Sequence, residues 1–185
     1  MRKQLLLLIS AGTLLLSGCV TWQQGGQRYT AGSGAYSFTP PAGWMFIEQP
    51  AGEIRATRDG LILQQVTVQS RALKDPLPGS KRVLTAGLTP FELAEALADD
   101  LRADHSLLGI EILKNEPAKF GQRDGFKLVV HYQTKDRLRI TQSIYGCIDQ
   151  SKLYLIRFAA PSRHYYERDL ASFEAAVQSF QFSKS

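Results

Sequence analysis

The side chains best equipped for chemistry in this chain are three histidines, two cysteines and a cluster of aspartates, and their spacing decides what each can do. His105, His131 and His164 stand apart, and none has another histidine or a cysteine at the short intervals by which proteins grip zinc. No Gly-x-Ser-x-Gly elbow, His-Glu-x-x-His pair or glycine-rich phosphate loop closing on Lys-Ser or Lys-Thr occurs. Asp99, Asp100 and Asp104 offer paired carboxylates, but they fall on the polar side of a helical apolar stripe, where a solvated face is expected. His105, just behind them, is placed to complement the negative end of that helix. His131 alternates with polar neighbours on a strand and is expected to face solvent or a partner. His164 falls in the cap of the last helix, beside Tyr165 and Tyr166. Cys147 lies in the strand Ser143-Ile144-Tyr145-Gly146-Cys147-Ile148 with no histidine or helix start beside it, and reads as a small buried hydrophobe. No catalytic residue, metal ligand or cofactor is expected, so the chain reads as a non-enzyme.

Cys19 is different, because what precedes it is ordered. Arg2 and Lys3 form a positive region, Leu5 to Leu16 is apolar apart from small residues, and Ser17-Gly18 leads into the thiol. A membrane-spanning helix needs about 20 predominantly apolar residues; this run is shorter, and after Trp22 the chain turns polar. Leu16-Ser17-Gly18-Cys19 resembles the lipobox of bacterial lipoproteins. The resemblance implies a signal peptide over 1–18, a diacylglyceryl group on the Cys19 thiol, cleavage before Cys19 and acylation (palmitate-type) of the new terminus. Two or more acyl chains hold a protein firmly where one does so marginally. Val20, rather than Asp, follows the cysteine; by the same resemblance the protein is sorted to the cell outer membrane and faces the periplasm.

Of 185 residues, 167 remain after the leader, an ordinary size for one domain. The leader holds two of the 22 basic residues and none of the 17 acidic ones, so the formal charge falls from +5 to +3 on its removal. An excess this small does not make a nucleic-acid surface. With one cysteine lipidated, Cys147 has no partner for a disulfide.

Residues 19–34, rich in Gly, Gln, Ser and Thr, read as a flexible tether with a reach of about 20 Å, and 35–185 as one α+β domain. Tyr36 to Phe38 and Trp44 to Ile47 predict strands either side of Pro40-Pro41. Glu53 to Thr57 and Leu61 to Ser70 predict a hairpin turning at Asp59-Gly60, with Ile62, Gln64, Val66 and Val68 on one face. Lys74 to Thr89 predicts a long loop. Thr89-Pro90-Phe91-Glu92 is a helix start with a capping box, and Phe91, Ala94, Leu97, Ala98 and Leu101 carry the stripe towards Leu108, where Gly109 stops it. A meander follows: Ile110 to Leu113, with Lys119 and Phe120 beyond Pro117; Phe126 to Thr134; Arg137 to Ile148; and Lys152 to Ala160. Ser162 caps a closing helix whose Tyr166, Leu170, Phe173, Val177 and Phe180 form a seam. The expectation is a mostly antiparallel twisted sheet packed by two main helices, about 90–108 and 163–180. Lys127, Lys135, Arg137 and Arg139 gather as a basic patch that keeps strand edges from pairing, and Trp22, Tyr29, Tyr165 and Tyr166 are candidate interface aromatics.

Pro41-Ala42-Gly43-Trp44, Gly125-Phe126, Leu153 to Pro161 and Ser179-Phe180, in this order, resemble the PsbP-like and DcrB-like α/β/α sandwich superfamily over most of 36–182. The resemblance implies a domain that binds or stabilises other proteins. Together these features lead to an expected function: a lipid-anchored, non-enzymatic periplasmic module that engages an envelope protein partner and the membrane, but no nucleic acid. The alternative is a carrier or sensor of a small apolar ligand held in a cleft between sheet and helix.

Overall fold

The structure, a computed structural model, describes residues 21–183. The signal peptide expected over 1–18 and Cys19, the expected point of lipid attachment, lie outside the described residues.

The chain is α+β. Its elements are β1 (Gln23–Gln24), β2 (Tyr29–Thr30), β3 (Tyr36–Phe38), β4 (Met45–Glu48), β5 (Ile54–Thr57), β6 (Gln65–Ala72), α1 (Pro90–Arg102), β7 (Leu108–Phe120), β8 (Arg123–Gln133), β9 (Arg139–Asp149), β10 (Lys152–Pro161), α2 (Tyr165–Gln178) and β11 (Gln181–Phe182). One antiparallel sheet has the order β1-β4-β5-β6-β10-β9-β8-β7, and a small sheet has the order β11-β3-β2. Strand residues point alternately to the two faces. Tyr154, Ile156, Phe158 and Ala160 of β10, with Val66 and Val68 of β6, meet Phe173, Ala176 and Val177 of α2. Phe126, Leu128 and Val130 of β8 and Ile144 of β9 meet Leu93, Ala94, Leu97 and Ala98 of α1 on the other face. Two helices on opposite faces make three layers. Stacked rings from the small sheet and the C-terminal end, such as Tyr36 on Phe180 with centroids 4.8 Å apart, close the α2 side.

Helix α1 starts as its sequence dictates. Thr89 Oγ1 accepts from the Glu92 amide and the Glu92 carboxylate accepts from the Thr89 amide, which fills two of the unpaired donors at the helix start. The helix stops at Arg102, not near 108. Asp104 Oδ1 accepts from the amide and hydroxyl of Ser106 at 2.9 and 2.7 Å, an aspartate turn that competes with helix. Gly109 therefore does not end α1. It has φ +60° and lies where the β7–β8 register shifts between Leu108 and Glu111, a bulge that a left-handed glycine suits. β7 runs unbroken through Pro117, which an outer strand tolerates because one side of its backbone needs no donor.

Three other expectations are corrected. The strand expected from Leu61 begins at Gln65, because the amides of Leu63 and Gln64 both bond the Gly60 carbonyl and extend the turn; Ile62 is left 89% exposed at its tip. Ser162 does not cap α2, which spans 165–178 rather than 163–180: its hydroxyl accepts from Thr141, and His164 holds the cap position with no side-chain bond. The tether expected over 19–34 is folded from at least Gln23. Gln23 and Gln24 pair with Phe46 and Met45, Gly25 and Gly26 donate to the carbonyls of Trp44 and Pro40, and Tyr29 and Thr30 pair with Phe38 and Ser37.

Candidate functional site

The two faces of the large sheet are not equally covered. On the α1 side, the helix lies over β7, β8 and β9, and the 73–89 loop brings Leu73, Leu77 and Leu84 down onto Leu153 and Leu155. The next residue of β10 pointing the same way is Arg157. Beyond it the sheet lies open. Thr67 stands opposite Arg157, Gln69 opposite Leu155 and Arg71 opposite Leu153, so β6 and β10 floor a groove with polar side chains. The loop and the end of α1 form one wall, and the β4–β5 turn forms the other.

Two cavities meet at Asp100 and Arg157, the first in this groove and the second beside it towards the end of α1 and the β8–β9 turn. One of about 300 Å³ is lined by Glu53, Gln69, Arg71, Asp100 and Arg157 among others. A second of about 590 Å³ is lined by Lys81, Asp104, His105, Lys135 and again Asp100 and Arg157. The cleft expected between sheet and helix is thus charged, while the space directly under α1 is filled by its leucines and alanines.

The hydrogen-bond accounting in the groove is uneven. Asp100, expected on a solvated face, is 8% exposed, because the loop crosses it: Oδ1 accepts from the amides of Gly79 and Ser80, both at 2.8 Å, and from the Ser80 hydroxyl at 3.1 Å. Glu53 accepts from Arg55 Nε and Gln69 Nε2. Both anions are served. The cations are not. Arg71 donates one Nη2 bond to the Pro76 carbonyl at 2.6 Å, but its Nε and the Nε of Arg157 are buried without any acceptor. Burial pulls the Arg157 guanidinium below the ordinary arginine range, and the negative charges of Asp100 and Glu53 oppose that pull. A buried donor left unmet costs about 1–3 kcal/mol, so an acceptor reaching these arginines, from water or from a ligand, would be favourable. A carboxylate fits best, because the planar guanidinium can offer it two parallel N–H groups.

The other titratable clusters hold α2 in place. Asp169, fully buried, accepts from Arg58 at 3.2 Å, Arg168 at 2.6 Å and Gln64 at 3.2 Å, and so pins the 58–64 turn to the helix. Glu174 accepts from Lys127 at 2.8 Å and from the Tyr145 hydroxyl at 2.5 Å. Ser143 bonds Tyr166 at 2.6 Å, and His131 Nδ1 bonds Thr141 at 2.8 Å.

The sequence candidates are scattered over this frame. The three histidines are not brought together, and among the described residues no group of three His, Cys, Asp or Glu side chains could hold a metal ion. Asp99 pairs with Arg102 on the surface. Cys147 is fully buried, and burial pushes its thiol up to about 12. Lys127 leaves the expected basic patch, since it points to α2 while Lys135, Arg137 and Arg139 stay exposed at the β8–β9 turn. Of the aromatics, Tyr166 stacks on Phe158 and Tyr29 meets Phe46 edge-on; Trp22 is 42% exposed. Sequence reasoning missed Arg157 and Arg71. The available signal was an arginine on the apolar face of a strand otherwise written Leu153, Leu155.

No family model and no curated protein matches the chain. Solved structures do. Cyanobacterial PsbP (CyanoP) from Synechocystis sp. PCC 6803 is 16% identical with a TM-score of 0.59, the match covering 94% of this chain and 99% of that one. The Ran-binding protein Mog1p of Saccharomyces cerevisiae is 11% identical with a TM-score of 0.56, over 86% and 96%. A Bacteroides thetaiotaomicron protein is 12% identical with a TM-score of 0.54, over 88% of this chain and half of that one. At these identities the shared property is the fold, of PsbP-like and Mog1-like type.

Proposed function

We propose that this chain is a lipoprotein of the bacterial outer membrane, anchored through Cys19 on the periplasmic side, whose domain works by binding and not by catalysis. It engages an envelope protein that lays a carboxylate-bearing segment in the groove over β6 and β10. The observation that carries the reading is the groove itself: an uncovered half of a sheet face in which the anions are already bonded and two buried guanidinium nitrogens are not. The lipobox supplies the location, and the polar floor with one wall of loop and helix supplies the shape in which an extended segment would lie.

The test is photo-crosslinking in cells, with a reactive side chain at Thr67 on the groove floor or, as a control, at Glu167 on the outer side of α2. A discrete adduct is expected from position 67 alone, weakened by Arg157→Met. Loss of a charged hydrogen bond of about 1.5–3 kcal/mol corresponds to a fall of roughly tenfold or more in affinity. Equal labelling from both positions, or an adduct indifferent to Arg157, would contradict the reading.

A second reading is favoured by the cavity volumes, which lie in the range of small-molecule sites, about 300–1,000 Å³. The groove would then carry a small free carboxylate. Saturable binding of succinate to the purified chain, without any protein adduct from position 67, distinguishes it.

A further inference from the structure

The folded state of residues 23–34 changes how the domain sits on a membrane. A flexible tether would let it turn freely. Here Gln23 is already hydrogen-bonded into the large sheet as β1, and four residues of chain span at most about 14 Å. A lipid on Cys19 therefore holds the β1–β4 edge close to the lipid headgroups, a layer only about 5–7 Å thick on each side of the hydrocarbon core. What this edge displays is suited to that place. Gln24 stands opposite Met45 and Gln23 opposite Phe46; continuing the strand alternation one residue back from β1 puts Trp22 on the same side as Met45. Trp22 is 42% and Met45 40% exposed. Two large apolar side chains left open on one side of the chain nearest the anchor are an unusual choice for an edge that faces only water. Tryptophan in particular prefers the membrane–water boundary, where its ring is buried and its N–H stays near polar groups.

We infer that Trp22 and Met45 form a membrane seat: the β1–β4 edge rests in the headgroup region of the leaflet that holds the lipid, and fixes the orientation of the domain above it. This rests on the anchoring of Cys19 proposed above. The occupant is the lipid surface itself, because the covalent reach from Cys19 leaves no room for a globular protein between that edge and the bilayer. With the edge seated, the uncovered groove beside it opens along the membrane surface, where a partner embedded in the same membrane is within reach.

The chain has two tryptophans, and Trp44 is 1% exposed in the core, which makes the test direct. The full-length protein, purified from membranes with its own lipid, is reconstituted into vesicles of phosphatidylethanolamine and phosphatidylglycerol, with or without brominated acyl chains. Blue-shifted emission and marked quenching by brominated lipid are expected for the wild type. Trp22→Phe, which leaves only Trp44, should abolish the quenching, and Met45→Glu should reduce it. A chain that carries lipid on Cys19 and floats with the vesicles, yet shows the same emission with and without bromine, overturns the seat while leaving the anchor intact. Quenching that survives Trp22→Phe overturns it too. A chain whose mass shows no lipid on Cys19 removes the anchor and the seat together.

Discussion

Asp169 shows how little of a residue's role its own position in the sequence reveals. It falls in the first turns of α2 on a stretch that reads as a charged helix surface, yet it is fully buried and gathers Arg58, Arg168 and Gln64. Replacing it with alanine would take an acceptor from two guanidiniums and a carboxamide, although Arg168 and Gln64 would keep Asp59. Breaking a fully buried pair costs about 3–5 kcal/mol; because both arginines keep part of their side chains in water, about 2–3 kcal/mol is expected for Asp169→Ala. In a domain of this size that lowers Tm by roughly 5–10 °C, to be read by thermal unfolding; a change within about 1 °C would mean that the network holds nothing. Asp100 and Arg157 carry the same lesson. Asp100 was legible as one of three helical carboxylates, but its burial depends on a loop that returns from twenty residues earlier to bond it. Cys147 was readable because an apolar strand alone decides its environment.

At the scale of elements, the capped start of α1, the seam of α2 and the alternation of β8 to β10 were plain in the sequence, since each follows from a period within one segment. The failures occur where a segment's state is set by a distant partner. Gly25 reads as flexibility. In the structure it is a point of close approach: its amide donates to the Trp44 carbonyl, and a Cβ there would run into the carbonyl oxygen of Pro41. Gly25→Ala is expected to destabilise the domain by about 1–3 kcal/mol through this overpacking. Gly87, with open space around it, should tolerate alanine within about 0.5 kcal/mol. Denaturant midpoints of the two variants decide the matter, and a Gly25→Ala protein as stable as the wild type would restore the tether. The early end of α1 has a local cause, the Asp104–Ser106 turn, which was visible in sequence but masked by the apolar spacing that ran on to Leu107 and Leu108.

On the scale of the whole molecule, a three-layer domain of a fold shared with PsbP and Mog1p has one sheet face closed by α2 and the small sheet, and the other only half closed by α1. The closed face spends its polar side chains on holding the helix. Unmet buried oxygens occur on the closed face too, at Tyr36 and Gln64; the half-open face differs in that its unmet groups are arginine nitrogens beside open cavities, and this is why binding is proposed there. Among the described residues no helix is long and apolar enough to cross a membrane; the attachment proposed here is at Cys19, four residues before the first strand at Gln23–Gln24. Anchoring through that thiol is the claim on which the location, the seat and the access of a partner to the groove all depend. It is tested most directly by the intact mass of the protein expressed with its own leader and recovered from separated membranes. A mass of residues 19–185 plus acyl chains in the outer-membrane fraction is the predicted result. An unlipidated chain recovered free in the periplasm would contradict it.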